Sequence, residues 1–182
     1  MLLGVPGTTN RPAPAEDTQP LIAAGGSDPM APPQVTIRPA VTAERESLEA
    51  LQWRASLNNP GDREALLANP DAVELPLHQI AGGGVFVAEI SGVPKGWAAI
   101  LPRDDGDAQL DGLFVEPDSW GQGIGAALLE RCADEARATG ATSLHVMGNP
   151  HAEGFYRKCG FEKLGERQMR FGVGLLMKKK LN

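Results

Sequence analysis

The sequence predicts one α/β domain of the α+β kind, with its elements in the order βααβββαβαββ and a proline-rich arm ahead of them. Three observations carry that prediction. Val85-Phe-Val-Ala-Glu-Ile90 and Gly96-Trp-Ala-Ala-Ile-Leu101 are apolar runs of strand length parted by Ser91-Gly-Val-Pro94, which reads as strand, turn, strand. Ile124, Leu128, Cys132 and Ala136 recur four residues apart, the spacing that lines up one face of a helix. Between these segments, Leu113-Phe-Val115 runs through Pro117 into a loop with glycines at 121, 123 and 125, so a strand enters a helix through a glycine-rich turn.

The elements follow in order. Residues 1–34 hold seven of the fifteen prolines and few large apolar side chains. Such a segment cannot bury enough surface to offset its ordering entropy and reads as a tail or arm. The domain, residues 35–182, opens with a short strand at Val35-Thr-Ile-Arg38. A helix from Glu44 to Leu57 follows, with Leu48, Leu51 and Ala55 on one face, and Asn58-Asn-Pro-Gly61 breaks it. Shorter helical pieces are expected from Asp62 to Ala68 and from Asp71 to Leu75. After the strand pair, Asp104-Asp-Gly-Asp107 is a turn and Ala108–Val115 a third strand of that group. The helix from Gly123 to Thr139 ends where Gly140 is well placed to cap it. A strand from Ser143 to Met147, a short helix from Ala152 to Lys158 and two strands near Glu162–Phe171 and Val173–Lys180 complete the order.

Composition narrows the classes of function. The 182 residues carry 17 Lys+Arg against 23 Asp+Glu, a formal charge of −6, which does not favour nucleic acid as a partner. No apolar run approaches the roughly 20 residues that span a bilayer. No basic residue precedes the apolar start Met1-Leu-Leu-Gly-Val5, so neither membrane nor secretory export is expected and the expected place is the cytoplasm. Cys132 and Cys159 make neither a disulfide framework nor a metal site; both read as packed thiols in a reducing compartment.

The glycine loop carries the chemistry. Glycines at alternate positions let several backbone N–H groups converge on one point, because no Cβ blocks the approach. The helix that follows adds its unpaired first N–H groups and the positive end of its dipole. Strand, loop and helix together read as an anion cradle, most naturally for phosphate. Gly121-Gln-Gly-Ile-Gly-Ala126 also fits the turn that binds dinucleotides. That reading requires a carboxylate about 20 residues on, and Leu144-His-Val-Met-Gly148 holds none.

About thirty residues after the loop comes Asn149-Pro-His-Ala-Glu-Gly-Phe-Tyr-Arg-Lys-Cys-Gly-Phe161, with the only tyrosine of the chain, Tyr156. Together the two segments resemble those of the GNAT family of acetyl-CoA-dependent N-acetyltransferases: its pyrophosphate loop and its Ala-x-x-Phe-Tyr-x-x-x-Gly-Phe ending. The resemblance covers residues 35 to 181. It implies a mixed, mostly antiparallel central sheet flanked by helices, and acetyl-CoA as co-substrate without a metal. It implies that Leu113, Phe114 and Val115 offer backbone groups to the pantetheine arm, and that Gly121, Gln122, Gly123, Ile124, Gly125 and Ala126 hold the pyrophosphate. Asn149 corresponds to the family's CoA-contacting asparagine and Tyr156 to its general acid, which would protonate the departing thiolate. Two positions depart from the pattern. Trp120 stands where the loop usually begins with Gln or Arg, and Leu144 stands where ribosomal-protein N-acetyltransferases carry a glutamate.

For the base that takes the proton of the amine, Asp111 is the candidate, two residues from Leu113 and on its face by strand alternation. The acceptor is an amine-bearing small molecule or peptide, shaped in this family by the segments that correspond to Asn58–Ala81 and Glu166–Gly174. A homodimer with the N-terminal arm across a partner subunit is one assembly the sequence allows, a flexible tail the other. A catalytically silent acyl-CoA-binding or regulatory domain on the same scaffold is the rival reading, and a purely structural domain a third.

Overall fold

The computed structural model describes residues 34–182; the proline-rich arm and the dimer it would hold lie outside the described residues. Seven strands form one sheet in the order β1-β2-β3-β4-β5-β7-β6. They are β1 (Val35–Pro39), β2 (Val85–Ile90), β3 (Val93–Pro102), β4 (Ala108–Val115), β5 (Ser143–Gly148), β6 (Glu162–Met169) and β7 (Gly172–Lys180). Every neighbouring pair is antiparallel except β4 with β5. The helices are α1 (Arg45–Asn58), α2 (Arg63–Ala68), α3 (Leu77–Ala81), α4 (Ile124–Ala138) and α5 (Glu153–Lys158). The mixed α/β sheet with flanking helices is the expected fold.

Alternation along the strands builds a core on each face. Phe86, Ala88, Ala98, Ile100 and Leu110 pack with Ile124, Leu128, Cys132 and Ala136, so the helical stripe read in the sequence is the buried face of α4. Val85, Val87, Trp97 and Ala99 face the other way, onto Leu48 and Leu51 of α1 and Ile80 of α3. Burial pushes the Cys132 thiol up to about 12, so it is a packing group rather than a nucleophile.

The segment between β1 and β2 departs from expectation. Only Pro70–Ala72 is helical (3-10) in the stretch from Asp71 to Leu75, and a third helix, α3, forms at Leu77–Ala81. Its sequence is too short to show a helical period, and Pro76 immediately ahead reads as a breaker. Proline at that point in fact precedes a helix start without loss, since the first N–H groups of a helix have no intrahelical partner.

One parallel pairing decides where the site lies. β4 and β5 are joined only at Ala108, Gln109 and Leu110, opposite Leu144, His145 and Val146. Asp107 fastens this end: its carboxylate accepts hydrogen bonds from Thr142 Oγ1 (2.9 Å) and the Ser143 amide (2.9 Å), and its other oxygen meets His145 Nε2 at 2.9 Å. Asp105, Asp107 and His145 hold ligand atoms within 4.8 Å of one another, but these bonds already engage the Asp107 oxygens and make the cluster a clamp between strands. Beyond Leu110 the two strands part. β5 continues beside β7 to Gly148, and among the described residues no strand pairs with the β5-side edge of β4 from Asp111 to Val115. Among the described residues no helix is long and apolar enough to cross a membrane.

Candidate active site

A cavity of about 630 Å³ opens where β4 and β5 separate. Its walls include Leu113, Phe114 and Val115 of β4, the loop residues Gly121 and Gly123, Ile124, Gly125 and Ala126 at the start of α4, and Tyr156 with Phe155 of α5. Nine residues singled out in the sequence therefore meet on one cavity. Ala55 and Ser56 of α1 and Asn59, just after that helix, also line it.

The loop has the geometry that its glycines suggest. Gly121 and Gly123 take φ of +77° and +80°, a left-handed conformation that side-chain-bearing residues adopt at a cost. Gly123 is the N-cap of α4 and no side chain caps the helix, so the N–H groups of its first turn are left for another acceptor. Apart from their immediate chain neighbours, no atom of the described residues lies within 4 Å of where a Cβ would stand on either glycine, which leaves space for a ligand to approach the backbone. Among the described residues Lys158 is the only charged side chain on this cavity, and it is a cation in a chain of net charge −6. Free N–H groups, a helix N-terminus and a lone cation fit a phosphate-bearing ligand.

Two ion pairs brace the approach to the loop. Arg54 of α1 pairs with Glu116, and Lys95 of β3 pairs with Asp118 at 3.1 Å. Trp120, which stands where the family's loop usually begins with Gln or Arg, is half exposed and lines the cavity, and its indole N–H donates to the Val115 carbonyl at 2.8 Å. It thus engages a backbone acceptor on the unpaired edge of β4.

Tyr156 is buried within the α4-side core, edge-on to both Phe155 and Phe161. No described residue hydrogen-bonds its hydroxyl. Burial pushes the phenol up to about 12, so it is protonated throughout the physiological range.

Three residues singled out in the sequence lie off this cavity. Gln122 of the loop is not part of its wall. Asp111 is the extra residue of a β-bulge, since Ala99 pairs with Gly112 but Ile100 with Leu110. A bulge puts two successive side chains on one side and breaks alternation. Asp111 therefore does not share the face of Leu113: it is exposed and accepts a 3.3 Å hydrogen bond from Gln79 of α3. Strand period alone cannot reveal a one-residue insertion, which is why the sequence pointed to the wrong face.

Asn149 sits at a second cavity, of about 560 Å³, with Gly61, Asp62, Gly148, His151 and the Met169–Gly174 turn on its walls. Both ends of its side chain are engaged. Its Nδ2 donates to Asp62 Oδ1 at 2.8 Å, and its Oδ1 accepts the His151 amide at 2.9 Å. Asp62 is a residue that the sequence did not single out. Its carboxylate is half-buried, and desolvation holds its pKa above the usual aspartate value, against the opposing bonds from Asn149 and Asn59. A lone aspartate after Pro60-Gly61 reads as a turn residue, and only its hydrogen bonds to Asn59 and Asn149 distinguish it.

The two cavities adjoin. Asn59, on the wall of the first, donates to Asp62 on the second at 2.8 Å. A methyl group on Gly148, in the second, would come within 3.0 Å of the Tyr156 ring, in the first.

Comparison with known proteins agrees with this geometry. The acetyltransferase (GNAT) family model matches residues 46–161. The peptidyl-lysine N-acetyltransferase YjaB of Salmonella typhimurium is 30% identical over 142 residues, covering 74% of this chain and 88% of that protein. Among solved structures, the ribosomal-protein-alanine N-acetyltransferase of Brucella melitensis aligns with a TM-score of 0.60 at 27% identity, over 80% of this chain and 99% of that one. The acetyltransferase yncA of Salmonella typhimurium, solved with acetyl-CoA as its cofactor, aligns with a TM-score of 0.61 over 82% of this chain and 95% of that one. At 24% identity, that last likeness speaks for the fold alone.

Proposed function

Since the chain belongs to the GNAT family of N-acetyltransferases, we propose that it moves an acetyl group from acetyl-CoA directly to a primary amine, with the thioester held in the cavity between β4 and β5. The observation that carries this reading is the convergence of the unpaired β4 edge, the uncapped N-terminus of α4 and Tyr156 on that one cavity. Gly121, Gly123 and the first turn of α4 would hold the pyrophosphate through backbone N–H groups, as their open, left-handed geometry allows. Leu113–Val115 would lie along the pantetheine arm, whose amides can pair with a strand edge that has no neighbour. Trp120 occupies one acceptor of that edge, so it would yield the Val115 carbonyl or shape the arm's path around it. Asn149 is already committed to Asp62 and His151, so its part lies with the second cavity rather than with CoA.

Burial pushes the Tyr156 phenol up to about 12, so it stays protonated at neutral pH and can offer its proton to the sulfur as negative charge develops there. The acceptor amine would enter through the second cavity, which meets the first at Gly148 and Asn59.

Calorimetry with acetyl-CoA, together with CoA-thiol release over a panel of small amines, amino acids and lysine peptides, tests the proposal. Binding with turnover of at least one amine is the expected result. Binding without turnover of any would favour a silent acyl-CoA-binding domain, and no binding would exclude both.

A further inference from the structure

The proposed reaction needs a group to receive the amine, and the second cavity holds one that its own helix does not use. Asp62 stands at the N-cap of α2, where an aspartate ordinarily accepts a backbone N–H from the first turn. It makes no such bond. Its carboxylate is turned instead to Asn59 and Asn149, one amide hydrogen on each oxygen, both at 2.8 Å. An ionised carboxylate offers about four acceptor positions, so these two bonds leave others available to a ligand. Among the described residues the only other ionisable side chains on that wall are His151 from the turn after β5 and Arg170 from the end of β6. Met147, Pro150, Met169, Phe171 and Val173 make the remainder of the wall largely apolar.

We infer that Asp62 binds the ammonium group of the acceptor and takes its proton, and that the acceptor is a primary amine carried on an apolar body. This deepens the reading of the chain as an acetyl-CoA-dependent N-acetyltransferase and rests on it. The ammonium N–H bond breaks and its proton passes to an Asp62 oxygen. The freed lone pair forms the C–N bond with the thioester carbon, and the C–S bond breaks with its electron pair going to sulfur. A second proton leaves nitrogen and reaches sulfur through water or along the Tyr156 hydroxyl, while Asp62 returns its proton to solvent. The products are the N-substituted acetamide, the free thiol of CoA and one proton. Asn59 and Asn149 are positioning residues, because they hold the carboxylate and meet the substrate only through it.

The test uses the full chain with acetyl-CoA and 2-phenylethylamine, following thiol release across pH, with acetyl-CoA affinity measured by calorimetry on the same samples. The wild-type protein is expected to acetylate this amine. Asp62→Asn should lower kcat/KM by about 10²–10⁴-fold and abolish the acidic limb of the pH profile, with acetyl-CoA affinity unchanged. Asp62→Glu, which keeps a carboxylate, should retain an acidic limb and recover part of the rate. An unchanged kcat/KM in Asp62→Asn overturns the inference. So does loss of acetyl-CoA affinity along with activity, which would make Asp62 a structural residue. Wild-type protein that binds acetyl-CoA but leaves 2-phenylethylamine untouched overturns the acceptor class while the family reading stands. Failure to bind acetyl-CoA would instead remove the reading beneath it.

Discussion

The Asn149 amide donates a 2.8 Å hydrogen bond to the Asp62 carboxylate, fastening the end of β5 to the start of α2 across 87 positions of sequence. The bond favours the ionised carboxylate, whereas burial favours the neutral acid and is the larger effect. Asn149→Ala is therefore expected to raise the Asp62 pKa further. Activity that requires ionised Asp62 is lost as pH falls through that value, so the acidic limb of the rate profile should move to higher pH in the variant. Superimposable profiles for wild type and Asn149→Ala would contradict this coupling.

Acetyl-CoA affinity should depend on the backbone of the loop. Gly123 is left-handed, and an L-residue there costs about 1–2 kcal/mol, more with a branched Cβ that also fills the open space above the N–H groups. A domain with the usual 5–15 kcal/mol of stability survives this. Gly123→Val is expected to stay folded by circular dichroism and to lose measurable acetyl-CoA binding. A folded variant with unchanged affinity would rule out the cradle.

Tyr156→Phe should reduce kcat far more than it weakens acetyl-CoA, because the hydroxyl acts on charge that exists only as the C–S bond breaks. The loss should fall within the roughly 10²–10⁴-fold range for acid catalysis. Single-turnover kinetics would separate this from an effect on product release. An equal rate would leave Tyr156 as a packing residue only.

The Asp107 clamp gives a prediction for stability. Its carboxylate is held below the usual aspartate value, chiefly by His145, so the ionised form is favoured in the fold. That stabilisation is present above the unfolded-state value near 3.9 and fades as pH falls through the lower folded value. Asp107→Ala would leave two backbone amides and the Thr142 hydroxyl without their acceptor. It is expected to cost about 2–3 kcal/mol at neutral pH, measured by urea unfolding, with the difference from wild type shrinking in acid. A constant difference down to pH values below 3 would refute the assignment.

All described elements and both cavities lie after residue 33. A protein starting at Pro33 is expected to fold and to bind acetyl-CoA as the full chain does. Sedimentation of the two would show whether residues 1–32 contribute to self-association. Loss of acetyl-CoA binding in the folded shorter protein would place those residues in the site.

The sequence by itself determined the local terms. Strand alternation, the i, i+4 stripe of α4 and the alternate glycines depend on neighbours a few positions apart, so Val85–Ile90, Ala108–Val115 and Gly121–Ala126 were legible without a structure. The Asn149–Phe161 segment likewise brought Tyr156 forward by its pattern. Tertiary structure alone decided the rest. The bulge that moves Asp111 off the face of Leu113 is a matter of register between β3 and β4, which no single strand encodes. The helix at Leu77–Ala81 is too short for a period to appear and is set by packing of Ile80 against the sheet. Asp62 differs from any other turn aspartate only because its neighbours in space, Asn59 and Asn149, bring it under partial burial. Burial and hydrogen bonding across 87 residues are properties of the folded chain, and they are what turn an ordinary carboxylate into a candidate base.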